Sequence, residues 1–129
     1  MKIKDHKLTE FAFDRHFKDM VDTYKKVFFL NLLSCEKPDE ERLSDRAINL
    51  LKSRTQSGTV GHLSYDFHRY TANDNFDTPL FELTGWLRKN VLLGQEFFST
   101  GATDVTQLQL QKGTVRTNCL DCLDRTNIV

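Results

Sequence analysis

Phe13, Phe17, Met20, Val21 and Tyr24 fall at offsets of 4, 7, 8 and 11, on one face of a helix. The spacing predicts a helix over roughly residues 8–25, with Thr9 as its cap and Glu10 in its first turn. Val27-Phe28-Phe29-Leu30-Asn31-Leu32-Leu33 follows at once. A short, almost unbroken apolar run of this kind predicts a strand buried on both faces. Ser34 to Asp39 is a polar connection. Pro38 with Asp39, Glu40 and Glu41 is a good helix start, its acids at the positive end of the dipole. Leu43, Ala47, Leu50 and Leu51 repeat the helical spacing, which predicts a second helix over 40–54, broken at 55–58. Residues 59–67 read as a second strand ending in Tyr65-Asp66-Phe67-His68, and 71–78 as a polar loop. Asp77-Thr78-Pro79 opens a third helix, with Leu80, Leu83, Leu87 and Val91 on one face, fading between Gly94 and Gly101. Val105–Leu110 and Thr114–Asn118, joined by Gln111-Lys112-Gly113, read as a hairpin or two short strands. Helix then buried strand, repeated, is the pattern of an α/β layer architecture: a mixed, partly parallel sheet flanked by helices.

Composition narrows the function. The 129 residues fit one domain or part of a larger one, and ten Phe point to an aromatic core. Lys plus Arg equals Asp plus Glu at 18 each, so no basic excess points to nucleic acid. No run approaches the ~20 apolar residues of a membrane span. The opening Met1-Lys2-Ile3-Lys4-Asp5-His6 is polar and unlike a signal peptide. Three cysteines form no disulfide framework, which suits a reducing compartment.

The chemistry sits in residues 116–127. Cys119 and Arg125 have the C-x5-R spacing of cysteine-dependent phosphatases, and Thr126 follows. A phosphate ester needs a nucleophile behind phosphorus and donors around its equatorial oxygens. Five intervening residues let the backbone curl into a cradle of inward N–H groups. Arg125 closes it with a bidentate fork and favours the reactive thiolate. The reaction runs through a cysteinyl-phosphate that water then cleaves. The Thr126 hydroxyl is placed to hydrogen-bond the sulfur. Two carboxylates, Asp121 and Asp124, lie within this loop, and either could protonate the leaving oxygen as general acid.

The whole string, Arg116-Thr117-Asn118-Cys119-Leu120-Asp121-Cys122-Leu123-Asp124-Arg125-Thr126-Asn127, closely resembles the signature of the Sac-domain phosphoinositide phosphatases. The Phe-rich segment from Glu10 to Tyr24 before the Asn31-Leu32-Leu33 run, and Asp66-Phe67-His68, are similar to further elements of that family. The resemblance implies a hydrolase that removes phosphate from an inositol lipid headgroup at a membrane surface. It implies no metal or other cofactor, no nucleic-acid partner and no transmembrane segment in this chain. By the same resemblance Cys119 is the nucleophile, Arg125 the phosphate clamp and Asp121 or Asp124 the acid. Arg116, Asn118, Leu120, Cys122, Leu123, Thr126 and His68 then contribute to substrate binding. A cytoplasmic location is implied, peripheral to endoplasmic reticulum, Golgi or endosome membranes. Sac domains are several times longer than this chain. Residues 1–129 are therefore expected to be a partial Sac catalytic domain ending in a cysteine-phosphatase P-loop, without the helix that should follow it. The alternative is a catalytically inactive remnant that binds phosphoinositide or protein. A protein-tyrosine-phosphatase-like enzyme shares the C-x5-R logic, but this loop holds no Gly and no His precedes Cys119.

Other residues have plainer readings. Cys119-x-x-Cys122 lacks a second such pair for zinc, and Cys122 reads as a loop-packing residue able to pair reversibly with Cys119 under oxidation. His68 either lines the site or orients a loop through Asp66, or is simply a strand-end histidine. His6, His16 and His62 read as surface residues. Trp86 reads as one packed aromatic on a solvated face, and Arg69 with 71–77 as a headgroup rim.

Overall fold

The computed structural model describes residues 6–54, 58–72, 76–96, 99–100, 108–120 and 124–129. In chain order the elements are α1 (His6–Tyr24), β1 (Lys26–Asn31), α2 (Pro38–Lys52), β2 (Val60–Ser64) and α3 (Phe67–Tyr70). Then come α4 (Asp77–Asn90), a 3-10 turn (Leu92–Gly94), β3 (Ser99–Thr100), β4 (Leu108–Gln109), β5 (Gly113–Asn118) and α5 (Asp124–Ile128). The α/β expectation holds.

β1 is the centre of a three-stranded sheet ordered β2-β1-β5, and both pairings are parallel. Its stretch Val27–Leu30 is apolar because both faces are covered. Val27 and Phe29 point to one side, where Met20 of α1 and Leu51 of α2 complete a core. Phe13 and Phe17 stack on Phe29 with ring centroids 6.5 and 6.4 Å away. Leu30 and Leu32 point to the other side and pack with Leu83, Leu87, Val91 and Cys119. Trp86 stays partly exposed on α4, its ring 6.0 Å from Phe28, the single packed aromatic expected. α1 is tied to α2 by ion pairs of Arg54 with Asp14 and Arg46 with Glu10.

Four local expectations change. α1 starts at His6, so Thr9 lies inside it and is not its cap. The helix ends before Lys25, whose φ of 64° reverses the chain into β1. The strand expected to reach Phe67 stops at Ser64, because Asp66 accepts the Arg69 N–H at 3.1 Å and caps a helical turn. Of the two readings of 105–118, two short strands hold and a hairpin between them does not, among the described residues. β4 pairs antiparallel with β3, while β5 joins the open edge of β1 in parallel register. Residues 105–107 of the first arm lie outside the described residues.

Candidate active site

Parallel strands place all their carboxyl ends at one edge, where α/β proteins gather ligand-binding loops. Here that edge collects the β1–α2 loop, the β2–α3 turn and the segment after β5. The ladder runs past the strand ends: Leu32 donates its N–H to Asn118 O at 2.9 Å, and Tyr65 to Asn31 O at 2.8 Å.

The register rows on the α1–α2 side become more polar toward this edge. Val60-Val27-Thr114 gives way to His62-Phe29-Arg116 and then Ser64-Asn31-Asn118. Asn31, buried, is the hub. Its amide donates to Ser44 Oγ at 2.5 Å, and its carbonyl oxygen accepts from Asn118 Nδ2 at 2.6 Å. Asn118 is the last residue before Cys119, so this bond fixes the take-off of the candidate loop. A cavity of about 230 Å³ lies over these rows, lined by Phe13, Leu43, Ala47, Arg116, Asn118 and Cys119 among others.

Cys119 is buried, and the Thr126 hydroxyl donates to its sulfur at 3.1 Å. The sulfur contact anticipated for Thr126 is thus present. Cys35 is the contrasting thiol. It is exposed, and desolvation together with the charge of Asp66 pushes its pKa up, which disfavours its thiolate.

Arg125 is buried and donates through Nη1 to Leu32 O at 3.0 Å and to Glu40 Oε2 at 2.6 Å. Its Nη2 reaches Glu40 Oε1 at 3.4 Å. Glu40 is 2% exposed, accepts the Ser34 N–H at 2.9 Å and has Lys37 Nζ at 3.5 Å. Burial pushes its carboxyl toward the neutral form. Hydrogen bonds from Arg125 and Ser34 outweigh that and hold its pKa at about 2. Asp66 completes the edge, accepting the Cys35 N–H at 2.7 Å and the Ser34 hydroxyl at 3.3 Å. Burial opposes its ionisation too, and these bonds again win, lowering its pKa. Two buried carboxylates therefore hold Ser34-Cys35.

The remaining expected site residues are distributed as follows. Leu120 is exposed against the start of α2, beside Lys37, Pro38 and Glu40. Arg116 turns to α1, where its Nε donates to His16 Nε2 at 3.2 Å. His16 and His62 are exposed, as expected, and also line the cavity. His68 is exposed on α3. Asp121, Cys122 and Leu123 lie outside the described residues. Asp124 opens α5, a short helical turn that takes in Arg125 and Thr126. Among the described residues, no group of three or more His, Cys, Asp or Glu could hold a metal. No described helix is long and apolar enough to cross a membrane.

Glu40 and Asn31 are the site residues that sequence reasoning missed. A signal for Glu40 existed: it precedes Leu43 and Ala47 by three and seven positions, which puts a carboxylate on the apolar stripe.

These features define a class: an α/β domain carrying a cysteine and an arginine, C-x5-R spaced, at the carboxyl edge of a parallel sheet. The SacI homology domain matches residues 1–72. Synaptojanin-1 of Rattus norvegicus is 36% identical over 118 residues, 92% of this chain and 7% of its own. Phosphoinositide phosphatase SAC8 of Arabidopsis thaliana is 33% identical over 130 residues, 99% of this chain and 21% of its own. Phosphatidylinositol-3-phosphatase SAC1-B of Danio rerio is 32% identical over 126 residues, 92% of this chain and 19% of its own. The chain belongs to the SacI homology domain family. It spans no more than about a fifth of the length of these three relatives.

Proposed function

We propose that this chain is part of a Sac catalytic domain and hydrolyses phosphate monoesters of the inositol headgroup of membrane lipids. The observation that carries the reading is the Thr126 hydroxyl on the Cys119 sulfur, with Arg125 on the same short helix. Cys119 attacks phosphorus while Arg125 balances the charge on two of its oxygens. Asp121 or Asp124 protonates the leaving inositol oxygen. Thr126 then stabilises the departing thiolate as water cleaves the cysteinyl-phosphate. The names of the relatives support a phosphoinositide as substrate, and the protein acts at the cytoplasmic surface of an intracellular membrane.

The test is phosphate release from micelles of phosphatidylinositol 4-phosphate and 3-phosphate, with reductant and without metal. The wild-type chain is run beside Cys119→Ser. Release by the wild type alone supports the reading. No release from either, with both chains folded by circular dichroism, replaces it with an inactive phosphoinositide- or protein-binding domain.

A further inference from the structure

Glu40 touches no part of the proposed reaction, yet it is a carboxylate with almost no exposure. Removing a charge from water is costly, and a well-packed apolar residue would stabilise the fold as well or better. A stability argument therefore does not account for it, and its partner does. Both guanidinium nitrogens that it meets belong to Arg125.

We propose that Glu40 is the positioning residue of the phosphate clamp, an inference that rests on Arg125 being that clamp. The guanidinium is planar, and a bidentate grip on phosphate fails if the plane turns. Among the described residues three acceptors meet it: Leu32 O and Glu40 Oε2 on Nη1, and Glu40 Oε1 on Nη2. Glu40 meets the guanidinium end-on. Glu40 cannot swing away, because the Ser34 N–H and Lys37 Nζ hold the same two oxygens. Its low pKa keeps it ionised at every pH at which the domain would work. The clamp is thus oriented before phosphate arrives, so binding does not have to order it.

The experiment uses the ¹⁵N-labelled 129-residue chain and reads the Arg125 side-chain resonances and turnover together. In the wild type the Arg125 Nη protons give resolved signals from hindered rotation, and added inorganic phosphate shifts the Nε–H. Glu40→Gln keeps the shape and removes the charge. It collapses the Nη signals, weakens the phosphate shift about tenfold and lowers turnover on the order of 100-fold, the loss carried by kcat. Glu40→Asp falls between. Glu41→Gln, an exposed neighbour, leaves all three readouts in place. Averaged Nη signals in the wild type overturn the proposal, a result that needs no variant to fold. A wild type whose Arg125 Nε–H ignores phosphate overturns it too. So does Glu40→Gln lowering kcat while the Arg125 signals stay unmoved. If the wild type releases no phosphate from lipid in a Cys119-dependent way, the phosphatase reading fails by itself. The resonances and the phosphate shift still decide what Glu40 does.

Discussion

The two faces of the sheet are covered in opposite ways. Under α4, Leu30, Leu32, Leu83, Leu87 and Val91 make a closed hydrocarbon core. Under α1 and α2 the core is apolar only near the strand starts. It ends in the Asn31–Asn118–Ser44 network and a cavity of about 230 Å³. One face is held by shape. The other is held by donors and acceptors that must all find partners, as is the adjoining Glu40–Arg125 pair. The difference shows where the fold gives up packing for polar contacts: at the carboxyl edge of the α1–α2 face.

Substitutions can sharpen that contrast. Arg125→Ala should cost most, about 3–5 kcal/mol, because it strands Glu40 as an uncompensated buried charge. Urea melts measure it. A loss no larger than that of an exposed substitution would break the contrast. Leu30→Ala, at a fully buried site of the closed face, should cost about 2–5 kcal/mol through the void it leaves. The acid response isolates the charged pair. Glu40 titrates near 2 in the fold against an ordinary 4.5, so its contribution is complete above 4.5 and is lost as pH falls through about 2. That contribution amounts to about 3 kcal/mol. Stability of Glu40→Gln measured from pH 5 down to 2 should lack this part of the decline. Asn31→Ala should cost about 1–3 kcal/mol by leaving the Asn118 amide and the Ser44 hydroxyl with one partner fewer. Added volume separates the two faces, and its effect is smallest in the cavity. Ala47→Leu enters the cavity and should change stability by less than about 1 kcal/mol. Gly61→Ala meets the Phe28 ring at 2.7 Å on the closed face and should cost about 1–3 kcal/mol. Equal costs for the two would mean that the cavity is not space the fold can fill.

The elements that bury a face on their own were legible in the chain. The stripe of α1, the unbroken run of β1 and the spacing of α2 and α4 all appear at their expected places, with ends displaced by a few residues. The failures share a cause. Tyr65-Asp66-Phe67-His68 has the aromatic alternation of a strand, and one side-chain acceptor on the Arg69 N–H turned it into a helix. Thr114–Asn118 looked like a hairpin arm because local pattern does not say which strand will offer an edge. For the site, the Cys119–Thr126 contact was legible from spacing, since the two lie on one short segment. The inward placing of Glu40 was signalled by its place on the apolar stripe of α2, but its partner was not legible, because tertiary structure sets it. As acids at a helix start Asp39, Glu40 and Glu41 look alike, and only the one in register with Leu43 and Ala47 turns inward.

The Glu40–Arg125 pair joins positions 85 apart. During synthesis Glu40 leaves the ribosome long before its cation exists, and the side of β1 that β5 will occupy is then an open edge. Until Arg125 is made, Glu40 is better served by water than by the protein interior. The β1–α2 loop therefore stays solvated while the faces of the sheet collapse. Bringing the two residues together closes a loop whose entropy is roughly 4 kcal/mol, met only when β5 docks. The carboxyl edge of the sheet becomes native only once β5 docks, which also brings Cys119 into the core under α4.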